Sequence, residues 1–300
     1  MNHRRLARVA GLALALPLAL PLATAAKPHP RDHGRESTRF PVVDTAEHQQ
    51  QFQLPARGGK VVVDGITGAI RVRAVDGDTV TIRVQERVRG RDAAAIAQAR
   101  REMPLQMRLL GETVSAIVDS PFRGANGSLN VDWDDIPYRV EHDFEVTVPR
   151  RAATVLRTVN DGDVELSGTD GDFEVRNVNG GIRVLDVGGS GSARTVNGEV
   201  LVRFRRNPTA DVELASVNGD VTAELLAGLD ADVRYYTMNG EGWSDFDFTT
   251  VPLQPTAAGE RHNGRFRVRG RWQEGIRIGA GGPMLSFETL NGDIVLKNRS

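Results

Sequence analysis

One short phrase, an apolar residue followed by Asn and Gly, returns through the second half of this chain at a nearly constant period. It reads TVNDGDVEL from Thr158, NVNGGIRVL from Asn177, TVNGEVLV from Thr195, SVNGDVTAEL from Ser216, TMNGEGW from Thr237 and TLNGDIVL from Thr289. The asparagines Asn160, Asn179, Asn197, Asn218, Asn239 and Asn291 are spaced by 19, 18, 21, 21 and 52 residues. A repeat of about 20 residues, holding two short strands and two turns, predicts a solenoid in which each coil packs on the next. Asn and Gly both tolerate positive φ, so Gly180, Gly198, Gly219, Gly240 and Gly292 are expected to turn corners. If the coils stack in register, the asparagine amides can hydrogen-bond up a ladder. The apolar residue before each Asn is expected to point inward.

After each corner the pattern alternates with period two, as in Val164/Leu166, Ile182/Val184, Val200/Val202, Val221/Ala223/Leu225 and Ile294/Leu296. Such alternation is the signature of strands with one buried face. The expected fold is therefore all-β, a single-stranded β-solenoid of roughly 20-residue coils. Asn-Gly is also the strongest two-residue hairpin signal, so an antiparallel β-sandwich is the alternative. The 52-residue gap holds one coil plus an insertion that includes Pro252, Pro255, Gly259 and the strand-like Arg265–Trp272.

Upstream of the repeat, Phe52/Leu54, Val61/Val63, Ile70/Val72 and Val80/Ile82/Val84 alternate in the same way. One helix is expected at 93–102, capped by Asp92 and stopped by Pro104, with Ala93, Ile96, Ala97 and Arg100 on one face. The polar loop 120–138 carries Phe122, Trp133 and Tyr138, which fit either a partner-binding edge or a cover for the end of the core. Trp243, Phe246, Phe248 and Trp272 in the insertion pose the same choice.

The first 26 residues have the build of a secretory signal: Arg4, Arg5 and Arg8, an uncharged stretch Val9–Ala26, and Ala23-Thr24-Ala25 as a small-x-small cleavage pattern. A membrane anchor is the rival. The stretch is 18 residues, at the lower limit for spanning, and Pro17 and Pro21 interrupt it. Residues 27–39 read as a flexible tether, and 40–300 as one β-repeat domain with its repeat core at 155–300. The chain has no cysteine, which excludes a lipid anchor, disulfides and thiolate zinc sites. Losing the three leader arginines takes the formal charge from −1 to −4, which disfavours nucleic acid and anionic membranes as partners.

The run Val63-Asp64-Gly65-Ile66-Thr67-Gly68-Ala69-Ile70-Arg71-Val72, the strand ending Val148-Pro149, the repeated Val-Asn-Gly phrases and the closing Ile278-Gly279-Ala280-Gly281-Gly282 resemble a bacterial β-strand-repeat family. The family has no assigned function and carries the label "putative adhesin". The resemblance covers about residues 50–300 and implies a β-helix-like fold and an envelope location. It brings no catalytic residues.

Chemistry is sparse. None of the six histidines is spaced as a metal pair, and no Ser/His/Asp motif is present. Asp161, Asp163, Asp170 and Asp172 alternate with glycines as calcium loops can, but ordinary turn chemistry explains them as well. Glu165 and Glu174 are the pair that a carbohydrate-active β-helix enzyme could use, if they share an outer face. The expected function is an exported, non-catalytic module that binds an envelope protein or glycan or serves a structural role. It needs no cofactor or metal. The periplasm is the expected location, with release to the medium as the alternative, and no stable membrane insertion is expected after cleavage. A polysaccharide lyase or hydrolase is the alternative function.

Overall fold

A computed structural model describes residues 4–6, 38–55, 58–124, 133–253, 258–262, 265–269 and 273–299, with the side chains of 4–6 and 252–274 outside the description. Among the described residues the chain is all-β apart from the helix Ala93–Glu102 and a helical pair at residues 38–39, and it forms two large mixed sheets of eleven strands each. The sheets enclose one apolar core that runs from Leu54 to Leu296.

Each repeat contributes one strand to each sheet, a unit called here a rung. In the first sheet Val164–Ser167, Ile182–Val187, Val200–Phe204, Val221–Leu226 and Ile294–Arg299 are neighbours, all parallel. In the second sheet Ala153–Arg157, Phe173–Arg176, Gly191–Arg194, Val212–Ala215 and Met284–Asn291 follow the same order, again parallel. The two sheets face each other as in a sandwich, but the pairing along the repeat is parallel rather than antiparallel. Parallel strands cannot be joined by a tight hairpin. Here the chain crosses to the opposite sheet and returns one rung further on.

The residues that alternate inward are fully buried, among them Val164, Leu166, Ile182, Val184, Val200, Val202 and Val221. Equivalent positions in successive rungs sit in register, as Val164↔Ile182 and Ile182↔Val200 do. Like apolar side chains therefore stack in columns through the core.

The order of rungs in space departs from chain order twice. The rung formed by Lys60–Asp64 and Ile70–Val75 lies between Thr113–Val118 with Tyr138–Pro149 and Ala153–Arg157 with Val164–Ser167. The C-terminal rung, Met284–Asn291 with Ile294–Arg299, lies between Val212–Ala215 with Val221–Leu226 and Ala231–Asn239 with Gly242–Ser244. The expected insertion is an excursion from Gly242–Ser244 that returns through Gln273–Ile278, antiparallel to both Ala231–Asn239 and Phe248–Leu253. Arg265–Arg269 pairs with Ala258–His262 in a small sheet of its own, and Trp272 lies outside the described residues.

At the other end the sheets turn antiparallel. Val42–Gln53 pairs with Thr79–Gly90, which pairs with Tyr138–Pro149, while Leu105–Leu110 pairs with Thr113–Val118. The helix occupies the expected residues, and Asp92 accepts a hydrogen bond from the Ala95 amide at 2.8 Å. Its buried face is Ala95, Ile96 and Ala99. Of the four residues expected to share one face, Ile96 is buried and Ala93, Ala97 and Arg100 are exposed. Gly90 passes close beneath the buried face: a Cβ there would come within 3.0 Å of Ile96 and 3.2 Å of Ala95. Arg4–Leu6, inside the expected leader, pairs antiparallel with Gly242–Ser244.

Candidate functional site

The repeat phrase builds one corner of every rung. Asn179 Nδ2 donates to Asn160 Oδ1 at 3.0 Å, Asn197 to Asn179 at 2.8 Å and Asn218 to Asn197 at 2.8 Å. Asn291 then donates to Asn218 at 2.7 Å and Asn239 to Asn291 at 2.8 Å, following the spatial rather than the chain order. Six amides thus form one continuous ladder. Beyond Asn160 the equivalent residue is Thr67, bridged to it in parallel register.

A second ladder was not foreseen. The residue two before five of the six asparagines is buried: Thr158, Asn177, Thr195, Ser216 and Thr289 are each at most 3% exposed, while Thr237, before Asn239, is half-buried. Its side chain donates to the glycine carbonyl one rung back, as in Thr195 Oγ1 to Gly180 O, Ser216 Oγ to Gly198 O and Thr289 Oγ1 to Gly219 O, at 2.8 to 2.9 Å. The apolar residues Val159, Val178, Val196, Val217 and Leu290 are only half-buried and Met238 is exposed, which corrects the expectation that they point inward. The corner carbonyl, turned into the interior, needs a donor, and a buried hydroxyl supplies it. The recurrence of Thr, Ser or Asn at that position was the signal available in the sequence.

The hydroxyl ladder supports a direct prediction. Thr195→Val keeps shape but leaves the Gly180 carbonyl without its donor. It should lower the unfolding free energy by about 1–3 kcal/mol, more than removal of the exposed amide in Asn218→Ala at about 1 kcal/mol. Denaturant titrations of both variants decide it, and the reverse ranking would contradict the role given to the hydroxyls.

The outer faces carry charge in pairs. On the second sheet Arg157, Arg176 and Arg194 occupy adjacent rungs. Glu174 lies 2.8 Å from Arg157 and 3.2 Å from Arg176, and Glu213 pairs with Arg194. Burial disfavours ionisation of Glu174, but the two guanidinium groups hold its pKa below the usual carboxylate value. Glu165 stands on the first sheet, in register between Arg71 and Arg183. Glu165 and Glu174 therefore face away from each other on opposite sheets and cannot converge on a substrate. The aspartates act as acceptors: Asp163 takes the Gly181 amide, Asp172 takes the Ser190 amide, and Asp170 pairs with Arg205. Among the described residues no group of three or more His, Asp or Glu is arranged to hold a metal ion.

The aromatic residues of the 120–138 loop gather at the antiparallel end. Tyr138 is fully buried and its hydroxyl donates to Glu102; burial and that carboxylate both raise its pKa. This removes Tyr138 as a partner-binding residue. Phe122 and Trp133 are half-buried against the core, edge to face with ring centroids 6.3 Å apart. Arg139 lies 5.7 Å from the Trp133 ring and 4.8 Å from that of Phe40. Together these rings pack against the core at the antiparallel end. In the insertion Phe246 is buried, Phe248 packs half-buried on the core, and Trp243 is half-buried.

At the antiparallel end also lies a titratable cluster missed in the sequence. Glu86 and His142 are cross-strand partners, with Oε2 3.8 Å from a His142 ring that is itself 1% exposed. His48 Nε2 lies 2.9 Å from the same oxygen, while Arg100 is 3.9 Å from the other oxygen and 2.8 Å from Asp44. The interaction with His142 outweighs burial and, with His48, pulls the Glu86 pKa down to about 2. A carboxyl group with a depressed pKa stabilises the fold above its unfolded value and loses that effect as pH falls through the folded value. Stability from this cluster, on the order of 3 kcal/mol, should therefore disappear between about pH 4.5 and 2. Glu86→Gln should flatten that part of the stability profile. An unchanged acid limb in the variant would assign the loss to other carboxylates.

No family model and no curated protein matches the sequence. Among solved structures the chain is similar to a "putative cell adhesion protein" from Clostridium sporogenes, at 10% identity and a TM-score of 0.38, over 85% of this chain and 100% of that one. It is also similar to a "putative adhesin" from Bacteroides fragilis, at 11% identity and TM-score 0.40, over 85% and 97%. A third, a "putative lipid binding protein" from Parabacteroides distasonis, matches at 10% and 0.30 over 83% and 96%. No helix among the described residues is long and apolar enough to cross a membrane.

Proposed function

We propose that the chain is an exported, non-catalytic module of a bacterial cell envelope, adhesin-like in presenting broad sheet faces to an envelope protein or glycan. In this reading the rungs form a single-stranded β-solenoid, residues 1–26 are a removable leader, 27–39 a tether and 40–300 the domain. The observation that supports it best is the use made of the repeat's polar residues. Asn, the buried hydroxyls and Gly serve stacking, and the neighbouring ionisable groups on the second sheet neutralise one another. What varies between rungs is the outer surface, as expected where function lies in recognition by a face. Leader removal would also uncover the edge of Gly242–Ser244 that Arg4–Leu6 occupies.

The location is the periplasm, with release to the medium as the alternative. Mass spectrometry of the protein from an expressing bacterium should find a mature N-terminus next to Ala25 or Ala26. A full-length N-terminus retained in the membrane fraction would overturn the export reading. Capture from envelope extract on the immobilised mature chain then identifies the partner class.

A further inference from the structure

Among the described residues, the antiparallel end leaves two strands without an outer neighbour, Val42–Gln53 in the first sheet and Leu105–Leu110 in the second. The first is the longer. It runs in unbroken register with Thr79–Gly90 over 12 residue pairs, so its outer hydrogen-bonding edge is straight. Its sequence, VVDTAEHQQQFQ, has no Lys, Pro or Gly and no bulge, the devices that usually keep sheet edges apart.

Five large hydrophobic side chains are exposed among the described residues, and four of them lie on these two strands: Val42 at 37%, Val43 at 55%, Leu109 at 41% and Leu110 at 76%. Leu109 and Leu110 stand level with the Gln53 end of the first edge strand, whereas Val42 and Val43 stand at its far end, so the apolar pair that borders the Gln49–Gln51 edge is Leu109 and Leu110.

We propose that this end binds a second copy of the chain, with the two Val42–Gln53 strands pairing antiparallel about a two-fold axis through Gln50. A strand antiparallel to itself is self-complementary, as a two-fold interface requires. In this register Gln50 faces Gln50 of the second copy, Gln49 faces its Gln51, and Glu47 faces its Gln53. Gln49, Gln50 and Gln51 are all exposed, and side-chain amides set opposite one another can bond as the Asn column does within the chain. Glu47, the acid within the paired segment Glu47–Gln53, meets no like charge. An axis perpendicular to the sheets also brings the two Leu105–Leu110 edges to the same side, where Leu109 and Leu110 of each copy approach the other.

Sedimentation of the mature chain from about 1 to 100 µM should show a mass twice that of one chain at the upper end. Gln51→Lys with Leu110→Glu, one charge on each edge, should return it to a monomer while the melting temperature stays within a few degrees. The absence of native cysteine allows a test of register. Opposed residues of an antiparallel pair have Cα atoms about 4.5–5.5 Å apart, within disulfide range, so Gln50→Cys should cross-link two chains on mild oxidation. Thr222→Cys, in mid-sheet, should not. A monomer throughout the range, a dimer that survives the charged variant, or failure of Gln50→Cys to cross-link in preference to Thr222→Cys would each overturn the proposal.

Discussion

Gly219→Val is expected to lower the unfolding free energy by about 3–5 kcal/mol. Two causes combine. The backbone there has φ +152°, which a β-branched residue rarely adopts. A Cβ at Gly219 would also fall well inside van der Waals contact with the Gly198 carbonyl oxygen. The same geometry recurs at Gly180, Gly198 and Gly292, each set against the glycine carbonyl of the neighbouring rung. The obstacle is backbone on both sides, so no side chain can swing away to relieve it. Gly228 separates the two causes, because its φ is +73° but no atom lies within 4 Å of the position a Cβ would take. Gly228→Val should therefore cost only the conformational part, about 1–2 kcal/mol. Denaturant midpoints of the two variants measure the difference. Equal losses would show that rung spacing relaxes around the new side chain, and that the glycine column is not what sets it.

That column shows what could be read from the residues alone. The Val-Asn-Gly period located every rung of the second half, because spacing between like turns is a one-dimensional property. Alternation placed Val164, Ile182 and Val200 inside for the same reason. The corner itself is the reverse of what hydrophobicity suggests. Hydrophobicity argued for burying Val196 over Thr195, yet the buried position faces a backbone carbonyl, and hydrogen-bond satisfaction overrides apolar transfer there. The Glu86, His48 and His142 cluster was invisible because its members come from three strands far apart in sequence and converge only through antiparallel pairing. The relation of Glu165 to Glu174 is hidden for a related reason. Nine residues separate them, and one crossing between sheets turns that into opposite faces.

Least legible was the order of stacking, and it has the second large consequence. Periodicity reports what a rung contains, and equivalent rungs are interchangeable by that measure. The C-terminal rung takes a place between two rungs made earlier in the chain, with Asn291 accepting from Asn239 and donating to Asn218. Deleting residues 284–300 therefore does not trim an end. It opens a slot in the middle of the stack and removes four core side chains, Leu285, Phe287, Ile294 and Leu296, none more than 3% exposed. At about 1.5–3 kcal/mol for each large apolar side chain, these contribute about 6–12 kcal/mol, comparable to the whole stability of a typical domain. On the other side of the slot, Ala231–Asn239 and Gly242–Ser244 lose their parallel neighbours. The truncated chain should fail to fold cooperatively beyond Leu226, and native-state hydrogen exchange should show protection lost first from Ala231 to Ile278. Removing a true terminal rung would leave the rungs before it protected and lower stability only in proportion. If the truncated chain melts as one transition within a few degrees of the parent, the rungs on either side of the slot can close on each other, and the C-terminal rung is an ornament of the stack rather than its lock.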